Sequence, residues 1–476
     1  MYSPSGVFRF WFGYLGGYAV FFSIPNPQLL VIPRSNLRWY LATHAVKFLP
    51  LILLLACGIF VAITYFFDSI NNLNPFARLE AKAKATIEAQ VNLQVSPIDI
   101  AVSELRGTTF NPVYVNIVKP KEIGNVFEEL SRYEKKELFN NYKAMLVSFN
   151  FISSDFDMES YMTRDDNLGL LGYYLPYYGE IFIVSEEYEF GQAEELVYAH
   201  EAVHAIQDQT FGLPEEYDLQ RKLLSFEGDL PYLALVEGEA TFVEQQFLNS
   251  NYFDERDREN ILVELNTFTP EQQEKLEKIP HALINGSQFP YHLGTEFVQT
   301  LYESGGWQMI NKAWENPPRS TEQIIHPEKY FEGETAQAVL IPFPGQPWKS
   351  IDTGVLGEFY LREYLSQQIP TEQVIIAATG WGGDAYKILS RRQQGEDDYA
   401  LIYHTVWDTK QDHQEFLQAY IQYAGNYYNA NSKTISDNTC WANEDATCIF
   451  DNEEQIIIVR ASDLDTAIEL MSTQKN

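Results

Sequence analysis

Basic charge is scarce in this chain of 476 residues: 33 lysines and arginines stand against 66 aspartates and glutamates, for a net charge of −33. Such a surface repels phosphate backbones and anionic lipid, so nucleic acid is not an expected partner. The same acidity solubilises the chain and would attract basic peptides. Cysteine is scarcer still. Three residues are too few for a disulfide scaffold or a thiolate metal cluster. Cys57 lies in an apolar run and reads as a small hydrophobe. Cys440 and Cys448 flank a short polar segment that could turn a hairpin. That spacing suits a disulfide, which would imply an oxidising compartment, and equally two reduced thiols on adjacent strands. Internal repeats and low-complexity tracts are lacking. With 45% hydrophobic and 14% aromatic residues the chain has ample material for a core, and wholesale disorder is excluded.

Long apolar runs are confined to the N-terminal part. Phe48 to Phe67 contains no charge and, as a helix, spans about 30 Å, the hydrocarbon thickness of a bilayer. It is longer and starts later than a signal-peptide core, and it continues into Asp68 without a small-residue cleavage site. An uncleaved transmembrane helix is the expectation. Phe10 to Ile24 is shorter, holds Gly13, Gly16 and Gly17, and stops before Pro25. It reads as interfacial, with a second span left open. Arg34, Arg38 and Lys47 before the main run, against Arg78, Lys82 and Lys84 after it, tip the N-terminus slightly towards the cytoplasm. The expected localisation is therefore the cell membrane, single-pass, with residues 68–476 on the extracytoplasmic side.

Beyond the membrane run, alternating Lys, Glu and Ala predict a helix over 77–91, and VYVNIV (113–118) and IFIV (181–184) predict strands. Helices are expected near 192–210 and 231–249. The first stops at Gly212 and Pro214; the second opens at Asp229 and Pro231. Residues 251–330 read as mainly helical. The last 130 or so residues mix helices with strands near 401–406 and 455–460, with a turn at Asp451–Glu454.

Histidine is also rare, with 8 in the chain, yet two of them stand in Tyr198-Ala199-His200-Glu201-Ala202-Val203-His204. Positions i and i+4 share one helix face, so both imidazoles can reach one metal ion. A chance His-Glu-x-x-His in such a chain has odds of roughly one in a hundred. Glu201 follows His200 by one step, beside the position of an attacking water rather than on the metal. A catalytic zinc takes three protein ligands. The third is expected from LVEGEAT (235–241), where Glu237 is the choice and Glu239 the rival. Small Gly238 and Ala240 would let that helix approach the histidine helix.

His200-Glu201-x-x-His204 followed by Glu237-Gly238 resembles the gluzincin branch of zinc peptidases. More narrowly, the chain resembles uncharacterised bacterial peptidase MA-like proteins in HEAVHAIQDQ (200–209), LVEGEAT (235–241), FPYHLG (289–294), PPRSTEQIIHPEKY (317–330), GWGGDAY (380–386) and VWDT (406–409). The first two stretches are specific motifs; the rest match as pattern only. The resemblance covers about residues 100–470. It implies an α+β, zincin-like catalytic domain with a predominantly helical second half, here preceded by the transmembrane helix. The expected organisation is an N-terminal membrane segment (1–67), a helical linker (68–100), the metallopeptidase domain (101–345) and a C-terminal α+β region (346–476).

The implied cofactor is Zn2+ on His200, His204 and Glu237, and the implied partner a peptide or protein substrate. Glu201 would serve as general base and then acid on the attacking water. An edge strand before the active helix binds extended peptide in gluzincins, and Ile181–Val184 is placed for that role. Tyr291, His292, His326 and Tyr330 are candidates to stabilise the oxyanion. The chain departs from thermolysin-like enzymes at Val236, where those have asparagine, and at Thr241, where they have the aspartate that orients a zinc histidine. Asp208, Asp229 or Glu244 would have to supply that support. Two alternatives stay open: an inactive zinc-holding, membrane-tethered binding module, and a zinc amidase acting on cell-wall peptides.

Overall fold

The computed structural model describes residues 75–475, apart from 121, 123–134, 159–160, 162–169, 177, 186–187, 214–226 and 394–395. The chain divides into units 1–80 and 81–476, and everything described beyond the start of the first helix lies in the second. Helices α1 (Pro75–Gln94) and α2 (Ser96–Arg106) lead into β1 (Tyr114–Val118). Helix α3 (Lys135–Ser148) precedes a hairpin of β2 (Gly172–Leu175) and β3 (Glu180–Val184). β3 is the central strand of a three-stranded sheet, parallel to β1 and antiparallel to β2. Its side chains alternate as a pleated strand requires: Ile181 and Ile183 enter the main core, Phe182 and Val184 the opposite face.

Two helices then form the centre of the molecule, α4 (Gln192–Phe211) and α5 (Leu230–Leu248). Neither shows an exposed face along its middle turns. Tyr198, Ala199, Ala202, Val203, Ala205 and Ile206 of α4 are fully buried, as are Ala234, Leu235, Val236, Ala240 and Val243 of α5. A helix covered on all sides is a core helix, and polar residues on it need partners inside the protein. Around this pair lie α6 (Glu255–Leu265), α7 (Pro270–Glu277), α8 (His281–Gly305), α9 (Trp307–Glu315), α10 (Thr321–Ile325) and α11 (Pro327–Glu332).

The C-terminal part runs β4 (Lys349–Gly354), α12 (Gly357–Ser366), α13 (Thr371–Ala378), β5 (Trp381–Gln393), β6 (Glu396–Trp407) and α14 (Lys410–Tyr428). It ends with β7 (Lys433–Ile435), β8 (Asn438–Ala442), β9 (Ala446–Asp451), β10 (Ile456–Ala461) and α15 (Leu464–Gln474). Its strands make one antiparallel sheet in the order β4-β5-β6-β10-β9-β8-β7. One face, with Tyr386, Tyr403, Ile456 and Ile458, packs into the main core around Phe149. The other, with Leu389, Ile402, Ile457 and Val459, is covered by Leu470 and Met471 of α15. Cys440 and Cys448 are direct cross-strand partners on β8 and β9 and are joined as a disulfide.

Two expectations are corrected. The zincin-like class with a helical second half and a preceding transmembrane helix gives way to an α+β structure whose largest sheet is the seven-stranded antiparallel one. Strand β5 escaped the sequence reading because Asp384, Lys387, Arg391 and Arg392 break up its apolar pattern. The membrane localisation with an extracytoplasmic domain is corrected as well: among the described residues no helix is long and apolar enough to cross a membrane. Long helices such as α1 and α4 carry several charged residues. The run 48–67, on which that expectation stood, lies outside the described residues.

Candidate metal centre

His200 and His204 lie one turn apart on α4 with ring centroids 4.9 Å apart, and both face Glu237 of α5. Glu237 Oε2 is 3.3 Å from His200 Nε2 and 3.4 Å from His204 Nε2. Ligand atoms of all three residues fall within 4.8 Å of one another. The three are 8%, 2% and 1% exposed, too buried for surface histidines that happen to match a motif. His204 Nε2 has no hydrogen-bond partner although it is buried, a costly arrangement that a bound cation would relieve. Two imidazoles and a carboxylate are the donor set of a catalytic zinc site, so the residues fit the metal.

The electrostatics point the same way. Burial works against an imidazolium at His200. Hydrogen bonds to Glu237 and Glu244, with the charges of Glu244 and Glu201, outweigh it and push the His200 pKa up to about 10. The pocket draws positive charge. Glu244 Oε2 lies 2.8 Å from His200 Nδ1, so of the three carboxylates considered for supporting a histidine the structure brings Glu244 to the site. Asp208 instead accepts from the Tyr174 hydroxyl and the Leu213 amide. Asp229 sits at the start of α5 without a side-chain cap bond. His204 Nδ1 is 2.9 Å from Gln207 Oε1, a residue the sequence reading missed; the i, i+3 spacing on one helix was the available signal.

Glu239, the rival third ligand, points away from the histidines and pairs with Arg106 and with Trp314 Nε1 at 2.6 Å. The small residue beside Glu237 also acts differently from expectation. Gly238 lies against Gly294 of α8, not against α4. That contact brings α8 to the centre, where Tyr291 stacks on His200 with centroids 6.1 Å apart. Tyr291 is 38% exposed. Burial, followed by the charges of Glu237 and Glu201, raises its pKa well above the ordinary value. The other oxyanion candidates are elsewhere: His292 is exposed, His326 bonds Glu358 at 3.1 Å, and the Tyr330 hydroxyl donates to the Asn316 carbonyl.

Ile181–Val184 is bonded to a strand on each side and so has no free edge for a peptide. The outer strand of that sheet beside α4 is β2. A Cβ at Gly172 would come within 3.2 Å of Glu201 Cγ and 3.3 Å of its Oε1, so the strand passes directly over the catalytic candidate.

A family described as Domain of unknown function (DUF8575) matches residues 346–471. No curated protein and no solved structure matches the chain. The matched stretch contains none of the metal-centre residues.

The remaining motifs of the sequence meet at a different place. Lys329 Nζ lies 2.6 Å from Glu322, 2.8 Å from Glu334 and 2.5 Å from Asp408, so this second group of converging carboxylates already holds a cation of the chain itself. Next to it, Glu227 accepts from the Thr321 amide at 2.7 Å. Asp384 accepts from the Leu356 and Gly357 amides and from Trp381 Nε1. Burial raises the Asp384 pKa to about 6 and that of Glu227 well above the usual carboxylate range, with the Asp384 and Glu358 charges adding to the latter. PPRSTEQIIHPEKY, GWGGDAY and VWDT thus supply a polar knot joining α10, α12 and β5, buried at Glu227, Glu322 and Asp384.

Proposed function

We propose that this chain is a zinc metallopeptidase that hydrolyses peptide bonds, as its resemblance to gluzincin peptidases implies. One observation carries the reading: His200, His204 and Glu237 converge from two core helices on one buried point, with no hydrogen bond to His204 Nε2. When bound there, zinc supplies Lewis acidity, which polarises a carbonyl and makes water acidic enough to react near neutral pH.

The chain's own groups do the rest. Glu201 neighbours His200 on α4 and is 6% exposed, so its carboxylate works in a largely dry environment. It takes a proton from the attacking water and returns it to the leaving amine as the peptide bond breaks. The Tyr291 hydroxyl, raised far above its ordinary pKa, stays protonated and can donate to a developing oxyanion. β2 offers its outer backbone groups to an extended peptide, and Gly172, without a side chain, lets that strand lie close against Glu201.

The test is metal analysis of the purified full-length chain paired with digestion of a broad peptide library. One equivalent of zinc and cleavage abolished by a chelator are expected. A chain that holds zinc yet cleaves nothing would leave a binding module as the better account.

A further inference from the structure

Gln207 is fully buried, and its carboxamide bridges the two ligand helices. Oε1 is 2.9 Å from His204 Nδ1, while Nε2 donates to the Val236 carbonyl at 2.9 Å and to Glu239 Oε2 at 3.3 Å. The orientation of a carboxamide is usually ambiguous. Here its surroundings decide it. The Val236 carbonyl can only accept, and the Glu239 oxygens already accept from Arg106 and from the Trp314 indole, so they too face Gln207 as acceptors. The NH2 end must face them, which leaves the oxygen facing His204. An oxygen needs a donor, so His204 Nδ1 must carry hydrogen, and Nε2 is the only ring nitrogen a metal could take.

We propose that Gln207 is the positioning residue that fixes the ligand tautomer of His204, and that Glu239, locked by Arg106, fixes Gln207. Arg106 is itself pinned: Nη2 donates to Asn311 Oδ1 at 2.7 Å and the guanidinium lies 4.4 Å from the Trp307 ring centroid. A residue of α2 thereby governs a ligand on α4 through the unused glutamate of the Glu237-Gly238-Glu239 triplet. The inference rests on the metallopeptidase reading for its purpose. The tautomer itself is a property of the metal-free chain.

Imidazole nitrogen NMR on the metal-free full-length chain, with zinc affinity measured by chelator competition, tests it. Wild type should show His204 as the Nδ1–H tautomer. Gln207→Leu should lose that signature and weaken zinc binding about 10–100-fold, with the His200 signals unchanged because Glu244 sets that ring. Gln207→Glu, whose carboxyl oxygen still accepts from His204 Nδ1, should restore both. If Gln207→Leu also disturbs His200, the fold has changed and Gln207→Glu alone decides: failure to keep the tautomer overturns the proposal. An Nε2–H tautomer in wild type, or unchanged zinc affinity in Gln207→Leu, overturns it as well. Wild type with the expected tautomer but no zinc uptake would instead sink the metallopeptidase reading while leaving the positioning role intact.

Discussion

Gly238 and Gly294 meet backbone to backbone: a Cβ on Gly238 would lie 2.3 Å from both the carbonyl carbon and the carbonyl oxygen of Gly294. A Cβ on Gly294 would in turn meet the Ala234 carbonyl oxygen at 2.3 Å. Glu237 adjoins the first glycine and Tyr291 precedes the second by one helical turn, so this crossing sets the distance between ligand helix and oxyanion candidate. Helix propensity alone would favour alanine at either site by about 1 kcal/mol. Overpacking against a backbone that cannot yield costs typically 1–3 kcal/mol or more. Packing should win: Gly238→Ala and Gly294→Ala should each lower the melting temperature and the zinc content. A melting temperature that rises would show that the helices do not approach this closely.

Under the proposed function, substitutions at Glu201 and His204 separate catalysis from metal binding. Glu201→Gln should keep both fold and zinc while peptide hydrolysis falls on the order of 10²–10⁴-fold. His204→Ala should lose zinc and activity together. Metal analysis of the two variants side by side checks this. Equal zinc loss in both would mean that Glu201 ligates the metal.

Tyr291→Phe keeps the ring that stacks on His200 and removes only the hydroxyl. The expected effect is a fall in kcat of roughly 10²-fold, the scale of one lost oxyanion donor, with KM little changed. His292→Ala, at an exposed position, should leave kcat unaltered. Should the histidine variant be the impaired one, the oxyanion donor has been misassigned.

The knot around Asp384 makes stability depend on pH. Its carboxyl titrates at about 6, above the usual 3.8, and Glu322 at about 7, above 4.5; burial is the largest cause in each. Both pKa values are raised in the folded state, so their contribution is complete below pH ~4 and is lost as pH rises through about 6 and then 7. Melting temperature should therefore be higher near pH 5 than near pH 7.5, by an amount reflecting on the order of 1–3 kcal/mol. Asp384→Asn should flatten that slope even if it lowers the whole curve. A wild-type profile flat across this window would show that these groups ionise as freely in the fold as in the unfolded chain.

The convergence of His200 and His204 was legible in the sequence because it depends on local periodicity. His200 and His204 share a face by helical spacing, and α4, α5, β1, β3, β6 and β10 followed from apolar runs bounded by glycine, proline and turn residues. What lay between distant segments was not legible. Spacing could not choose between Glu237 and Glu239; the choice was made by Arg106 and Trp314, which draw Glu239 away. Nor could it show that Ile181–Val184 is the middle strand, because pairing depends on β1 and β2, the latter a short strand opened by Gly172. The role of Gly238 was read correctly as close approach and assigned to the wrong helix, since a missing side chain permits contact without naming the partner. Periodicity is written into neighbouring residues, whereas strand order, helix crossings and buried ion pairs are fixed only when segments far apart in the chain compete for the same core.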